Sequence, residues 1–287
     1  SIRSEGKNRA SLSNQSDFSW TLDNLIYYDK EIGKHSFGLT LLQCATGYHY
    51  EESSMAAEGI PLESAKWNAL SKENVSLLDE WNSGLIEKQL LSYMFRVNYD
   101  YNNKYLLTVS GRWDGASQLA EGNKWAFFPS AALGWRLDQE EFLKDVTWLN
   151  QLKFRLGVGV TGNSAIDPYQ TKGAIVSLYY PFGATLAPGY AASEPLIKDG
   201  AVAMANKDLS WEKTTQYNIG LDYSVLNGRI SGVLDFYTSR TTDLLMAMTI
   251  PSLNGYTNTY ANVGKTSNIG VDITLNTVNI KTRDFEW

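Results

Sequence analysis

From Gln216 to Val225 the chain alternates without a break: Tyr217, Ile219, Leu221, Tyr223 and Val225 are apolar, and Gln216, Asn218, Gly220, Asp222 and Ser224 are small or polar. Successive side chains of a strand point to opposite faces, so this segment has one oily and one wet side. The same period of two recurs at about ten places. Its polar positions carry charges and amides that a dry interior would accept only with a partner for each. The pattern predicts an all-β, antiparallel sheet with hydrocarbon on one face and water on the other, a portion of a transmembrane β-barrel.

Strands are predicted near 18–28, 35–48, 89–101, 104–114, 124–137, 149–160, 214–226, 229–240 and 267–280, with another at 284–287. A strand of about 11 residues rises roughly 36 Å and, tilted by about 45°, stands roughly 25 Å tall, the height of the apolar band of an outer-membrane barrel. Strands of soluble proteins centre on about five or six residues. The outward set comprises Tyr93, Phe95, Val97 and Tyr99; Tyr105, Leu107 and Val109; Leu152, Phe154, Leu156, Val158 and Val160; and Ile269, Val271, Ile273 and Leu275. The inward set comprises Arg96, Asn98, Asp100, Lys104, Thr108, Ser110, Arg112, Lys153, Arg155, Asn268, Asp272 and Asn276.

Connections at 29–34, 102–103, 138–148, 227–228 and 281–284 are short, and the intervening ones at 49–88, 115–123, 161–213 and 241–266 are mostly long. Short turns on one side of a membrane and long external loops on the other produce that sorting. A soluble two-sheet sandwich shares the strand alternation but has no reason to sort its loops. Asn227-Gly228 is a strong two-residue hairpin signal. Tyr27, Tyr28, Tyr99, Tyr101, Trp113, Trp125, Trp135 and Trp148 fall near predicted strand ends, where an amphipathic ring can sit between lipid and water.

Composition removes several functional classes. With 25 Lys and Arg against 31 Asp and Glu, and no clustered basic face, the chain is not built for nucleic acid. One cysteine, Cys44, and two histidines, His35 and His49, form neither an intramolecular disulfide nor a zinc-ligand spacing, and no metal site is assigned. No run of 18 apolar residues exists to make a transmembrane helix. Gly157-Val158-Gly159-Val160-Thr161-Gly162 fits G-x-G-x-x-G after a strand, but the next residues, Asn163 to Pro168, are loop chemistry where a dinucleotide site needs a helix. His49 lies beside Glu51 and Glu52, the one pairing that would suit a ten-stranded outer-membrane hydrolase. Neighbours two and three positions along a strand rarely reach catalytic geometry, so no catalytic residue is assigned. Asp138, Glu140, Glu141 and Asp145 alternate with Phe142 and Leu143 and read as the solvated face of a short turn helix; no cofactor is expected, with calcium at loops the one exception left open.

Arg112-Trp113-Asp114-Gly115-Ala116-Ser117, followed by Asn123-Lys124-Trp125-Ala126-Phe127-Phe128-Pro129-Ser130 and Gly134-Trp135-Arg136, resembles the "RxDGSS … NKWGFFPS … WR" signature of SusC/RagA-type TonB-linked (TonB-dependent) outer-membrane proteins of Bacteroidetes. Leu152-Lys153-Phe154-Arg155 with Gly159-Val160-Thr161-Gly162-Asn163 resembles that family's "LKLRxSxGxTGN", and Asn206-Lys207-Asp208-Leu209-Ser210-Trp211-Glu212 with Thr214-Thr215-Gln216 its "NPDLKWE..TQ". Lys207 stands where the family has Pro, and Gln118-Leu119-Ala120-Glu121 replaces its Arg-Phe-Gly. The resemblance implies about ten strands of a 22-stranded barrel in the bacterial outer membrane, with long extracellular loops. It also implies import of oligosaccharides or peptides, a SusD-like surface lipoprotein as lid, TonB as energy source through an N-terminal region, and room for a dimer of transporter–lid pairs. Neither a plug domain nor a TonB box is recognisable.

On this reading Trp67, Trp81, Tyr179, Tyr180 and Tyr190 in the long loops are the candidates for substrate or lid contact, because aromatic faces pack on sugar rings and protein partners. Arg96, Asp100, Arg112, Lys153, Arg155, Asp222 and Asp272 are the candidates for the lumen wall. The chain opens without an initiator Met or signal peptide and stops at Phe285-Glu286-Trp287 in what reads as a strand start, so an internal piece of a longer polypeptide is expected. A soluble β-sandwich glycan-binding module is the alternative outside the membrane.

Overall fold

The computed structural model describes residues 9–59, 67–68, 70, 77–171, 176–182, 185–191, 203–251, 258–280, 283 and 287; at 77–81, 176–182, 185–191 and 203 the backbone alone is described. Fourteen strands are present among them: β1 (Arg9–Ile32), β2 (His35–Glu58), β3 (Leu77–Tyr101), β4 (Tyr105–Ala116), β5 (Trp125–Arg136), β6 (Leu149–Asn163), β7 (Val176–Phe182), β8 (Thr185–Ala191), β9 (Ala203–Met204), β10 (Glu212–Val225), β11 (Ile230–Thr242), β12 (Leu245–Thr249), β13 (Asn258–Asn262) and β14 (Lys265–Thr277). Two single turns of 3-10 helix, Leu137–Gln139 and Glu141–Leu143, separate β5 from β6. No described helix is long and apolar enough to cross a membrane, which says nothing of crossing by strands.

Nine strands form one sheet in the order β1-β2-β3-β4-β5-β6-β10-β11-β14; β12, β13 and β9 form a small second sheet, and β7 and β8 a hairpin. From β3 to β14 every neighbouring pair in the large sheet is antiparallel. Two compact units divide the chain. One comprises Ser1–Leu22 and Thr46–Gln89, the other Asp23–Ala45 and Leu90–Trp287. In the first, Ala56 and Ala57 are buried and the Trp20 indole lies against Gly47, where a Cβ would strike the ring.

In the second unit the register aligns the alternating residues into continuous rows. Tyr99, Leu107, Leu133, Leu156, Ile219, Phe236 and Val271 sit side by side across seven strands, and Val97, Val109, Ala131, Val158, Tyr217, Thr238 and Ile269 form the next row. These rows are open: Ile219 is 48% exposed, Leu133 53%, Phe236 57% and Ile269 81%. A sandwich would bury them under a second layer, and among the described residues none covers them.

The buried side chains of this unit gather instead at the loop end, where Ala116, Leu119, Ala126, Phe128, Ile166, Leu209 and Trp211 make one cluster. Phe128 meets Trp211 edge-on, with centroids 5.2 Å apart and planes at 70°. Two segments that are far apart in sequence, 120–124 and 208–211, close the cluster by donating to backbone carbonyls. Trp211 Nε1 donates to the Lys124 carbonyl at 2.8 Å, Ala120 N to the Leu209 carbonyl at 3.1 Å, and Asn123 Nδ2 to the Asp208 carbonyl at 3.0 Å. Asn262 completes it, its amide accepting from Ser210 N and donating to the Ser210 carbonyl, each at 2.8 Å. Much of the motif sequence between Ala116 and Trp211 therefore serves to fasten loops, which leaves backbone groups satisfied where no ladder is available.

At the other end the connections are tight. Asn102 and Asn103 both take positive φ, as do Asn227 and Gly228, the backbone that mirror-image hairpin turns require. Lys104 N closes the first turn on the Tyr101 carbonyl at 3.0 Å and Arg229 N the second on the Leu226 carbonyl at 3.3 Å.

Several strand boundaries differ from the sequence-based ones. β1, β2 and β3 run 24, 24 and 25 residues, so much of the span 49–88 expected to be loop is strand. The extra length carries Ser11, Ser13 and Gln15 in β1, Glu51, Glu52, Ser53 and Ser54 in β2, and Asp79, Glu80 and Asn82 in β3. Strand is held there by backbone pairing, and with polar residues at both parities no alternation marks it. The spans 161–213 and 241–266 likewise contain β7, β8, β9, β12 and β13. Loop length does not sort the ends either: 117–124 joins β4 to β5, while the longer 137–148 lies on the tight-turn side and is filled by the two 3-10 turns. Residues 284–286 of the expected last strand lie outside the described residues; Trp287 exchanges both backbone hydrogen bonds with Ile280 at 2.8 Å.

Truncating Trp211 to Ala should destabilise the protein by about 3–5 kcal/mol, the cost of emptying a large buried aromatic site. Denaturant unfolding in detergent micelles measures it, and the loss should greatly exceed that of the 69% exposed Trp287.

Candidate functional site

The polar face of the large sheet is organised around one arginine. Gly220 on β10 stands opposite Arg155 on β6 and opposite Asp235 on β11. Because Gly220 has no side chain, the guanidinium of Arg155 reaches across β10. Its Nε donates to Asp222 Oδ1 at 2.9 Å, and its Nη2 donates to Asp235 Oδ1 at 3.1 Å. A Cβ on Gly220 would lie 2.5 Å from Asp235 Oδ1 and 2.6 Å from Arg155 Nη2. The three side chains are 31%, 23% and 20% exposed, so the planar fork is held between two carboxylates in partly desolvated surroundings, where such pairs are stronger than in open water. Asp272 on β14 stands opposite Asp235. Like charges in that position repel, and the arginine offsets the crowding of acids.

Beside this cluster is a hollow of about 460 Å³ bounded by Asn98, Asp100, Lys153, Arg155 and Asn218, where Gly38, Ala132, Gly134 and Gly157 leave space that larger side chains would fill. Arg112 is anchored further along the same face, donating from Nε to Asp114 Oδ1 at 2.7 Å and from Nη2 to the fully buried Ser92 Oγ at 3.0 Å. Hydroxyl pairs continue the wall: Ser110 with Ser130 at 2.7 Å and Thr214 with Thr241 at 2.8 Å. Asp100 accepts from Asn103 N at 2.7 Å and so shapes the turn. Lys153 lies opposite both Arg136 and Asp222, and Arg96, exposed, opposite Ser110. The structure thus brings Arg155 and Asp222 together, adds Asp235, which sequence reasoning did not single out, sets Asp272 opposite Asp235, and leaves Arg96 at a separate position of the wall. The signal for Asp235 was the glycine at a polar position of β10, legible only once the register is known.

The second unexpected feature is Glu140. Acids at 138–145 read as a solvated turn helix, yet Glu140 sits between the two 3-10 turns and receives Tyr105 OH at 2.7 Å, Trp135 Nε1 at 3.0 Å and Lys104 Nζ at 3.0 Å. The Tyr105 hydrogen bond first, then Trp135 and Lys104, pull its carboxyl from an ordinary 4.5 to about 2. Tyr101, Tyr105 and Trp135 stack in series with centroids 6.3 and 6.4 Å apart. At the loop end of the same face Tyr93 stacks on Trp125 and Trp113 packs on Phe127. Two aromatic bands therefore bracket the open aliphatic rows.

Of the loop aromatics, Trp67 is 48% exposed; Trp81 on β3, Tyr179 and Tyr180 on β7 and Tyr190 on β8 have backbone positions only. In the first unit His49 is bracketed by Glu51 at Nε2, 3.0 Å, and Glu87 at Nδ1, 3.1 Å. With both ring nitrogens engaged by carboxylates, and no hydroxyl or thiol bonded to the imidazole among the described residues, the arrangement is a bridge between β2 and β3. Among the described residues no three His, Cys, Asp or Glu side chains are grouped to hold a metal.

Comparison with known proteins places this architecture. The family model described as TonB dependent receptor-like, beta-barrel, matches residues 3–287. The TonB-dependent receptor P26 of Formosa agariphila is 34% identical over 287 residues, covering 99% of this chain and 28% of the relative. The TonB-dependent receptor SusC of Bacteroides thetaiotaomicron is 36% identical over 283 residues, covering 94% and 26%. The solved RagAB peptide transporter superposes with a TM-score of 0.83 at 25% identity, covering 96% of this chain and 29% of that one. The chain spans about a quarter of the length of the curated relatives it matches.

Two outcomes follow from the geometry. Gly220→Val should unseat Arg155 and cost about 1–3 kcal/mol or more through overpacking, read by denaturant unfolding; Gly220→Ala should cost less but share the sign. Glu140 has a depressed folded-state pKa, so its contribution to stability is complete above about 4.5 and disappears as pH falls through about 2. Unfolding titrations across that window should show a pH-dependent loss that Glu140→Gln reduces, the remainder coming from Asp138 and Glu141, whose carboxyls are also lowered.

Proposed function

The chain belongs to the TonB-dependent receptor-like β-barrel family, whose members reside in the bacterial outer membrane and are transporters and receptors, not enzymes; from that membership we propose that it forms part of the barrel wall of a nutrient importer. The observation that carries the reading is the two-sided sheet. The open rows through Ile219 and Leu133 suit hydrocarbon, and the face bearing Arg155, Asp222 and Asp235 suits a wet lumen. Barrels of this class span the bilayer because every backbone group is paired within the sheet.

The cargo proposed is an oligosaccharide or a peptide, taken up together with a SusD-like surface lipoprotein that closes the external mouth, with TonB supplying energy through regions outside this chain. The peptide arm is supported by the resemblance to the RagAB peptide transporter, and the broader family reading by the likeness to SusC. In this scheme the buried Phe128–Trp211 cluster is a rigid base for the long loops that meet lid and ligand, and the arginine clamp stiffens the lumen wall. Trp67, Trp81, Tyr179, Tyr180 and Tyr190 are proposed as loop contacts to ligand or lid.

The test uses cells carrying the full-length protein. Uptake of labelled oligosaccharides or of labelled peptides should fall to background on gene deletion and equally on TonB depletion, and affinity purification from detergent should recover a surface lipoprotein. Uptake that survives TonB depletion would sink the importer reading.

A further inference from the structure

On the open face of the second unit lies a groove of about 610 Å³ lined by Tyr99, Leu107, Leu133, Trp135, Phe154 and Leu156. Its size falls among small-molecule sites, roughly 300–1,000 Å³, and its lining is almost wholly apolar. Tyr105 and Trp135, which also line it, carry their polar ends to Glu140. An apolar trough therefore meets a compact polar cluster at the band of aromatic side chains.

The donors and acceptors of that cluster are not exhausted. An ammonium has three N–H donors, and Lys104 spends one on Glu140 at 3.0 Å. A carboxylate offers about four lone-pair sites, and Glu140 fills three, with Tyr105, Trp135 and Lys104. What remains is hydrogen-bonding capacity for one anionic oxygen on Lys104 and one cationic donor on Glu140, whose side chains keep 17% and 15% exposure. Lys104 and Glu140 cancel in charge, as do Lys144 and Glu141 beside them, so the site has no net attraction for an anionic head and two complementary points for a zwitterion.

We propose that this groove and the cluster at its mouth bind one phospholipid with a phosphoethanolamine head, the acyl chain lying along Leu107, Leu133 and Leu156, the phosphate on Lys104 and the head ammonium on Glu140. The proposal rests on the membrane reading of the open face. It goes beyond that reading by naming one site and one head group, where a uniform lipid-facing wall would show no preference.

The experiment reconstitutes the full-length protein in bilayers doped with phosphatidylethanolamine or phosphatidylglycerol carrying a photoactivatable diazirine in the acyl chain, and maps labelled residues by mass spectrometry. Leu133 and Leu156 should be labelled roughly five-fold more by the ethanolamine lipid than by the glycerol lipid, the ratio expected of one charge contact near a membrane surface. Ile273 and Leu275 on β14, 70% and 61% exposed on the same face, should show no such preference. Glu140→Gln should erase the ratio at the groove, and Leu133→Phe, which narrows the groove but leaves the cluster intact, should lower groove labelling by both lipids while β14 labelling stays. Equal ratios at the groove and at β14 would overturn the site and leave the membrane reading standing. Absence of label on both surfaces would overturn the two together.

Discussion

Cross-strand backbone pairing is the constraint on which this structure depends. A sheet that meets hydrocarbon cannot lean on a second layer to bury its apolar side, and it cannot leave peptide groups unpaired on its oily face. The antiparallel register from β3 to β14 pairs the interior strands with a neighbour on each side and leaves the apolar rows on one open face. It also explains why so few large side chains are buried within the second unit. Burial is confined to the loop end, where Phe128, Leu209 and Trp211 replace the missing ladder with a small dry cluster and side-chain hydrogen bonds.

Absent side chains shape the polar face as much as present ones do. Gly220 opens the lane through which Arg155 ties β6, β10 and β11, and the small residues around Asn98 and Asn218 open the hollow next to it. On the oily face the same economy appears in reverse, with aromatic rings concentrated in two bands and aliphatic side chains between. The Glu140 cluster joins the two themes, since it grips the polar tips of rings whose bodies remain on the apolar face.

Much of this was legible in the chain itself. The alternation in β10, β6 and β14 identified the strands and assigned each residue to a face, because a period of two is imposed by strand geometry and survives any arrangement of neighbours. The Asn-Gly pair marked its turn for an equally local reason. The outer lengths of β1, β2 and β3 were not legible, because polar residues at both parities carry no alternation. The Glu140 cluster is not legible because two of its three donors, Lys104 and Tyr105, belong to another strand pair, and only folding of the intervening strands brings them within reach.

The sequence by itself determined the two-sidedness of the sheet, the tight turns and the family, all of which depend on residues close together in the chain or on ordered motifs. Tertiary structure alone decided which polar residues meet: that Arg155 is shared by Asp222 and Asp235, that Trp211 locks onto the Lys124 carbonyl, and that Glu140 draws in Lys104. The first of those contacts turns on strand register and the other two on where the connections between strands come together, and both are set by the strands of the sheet jointly rather than by any one of them.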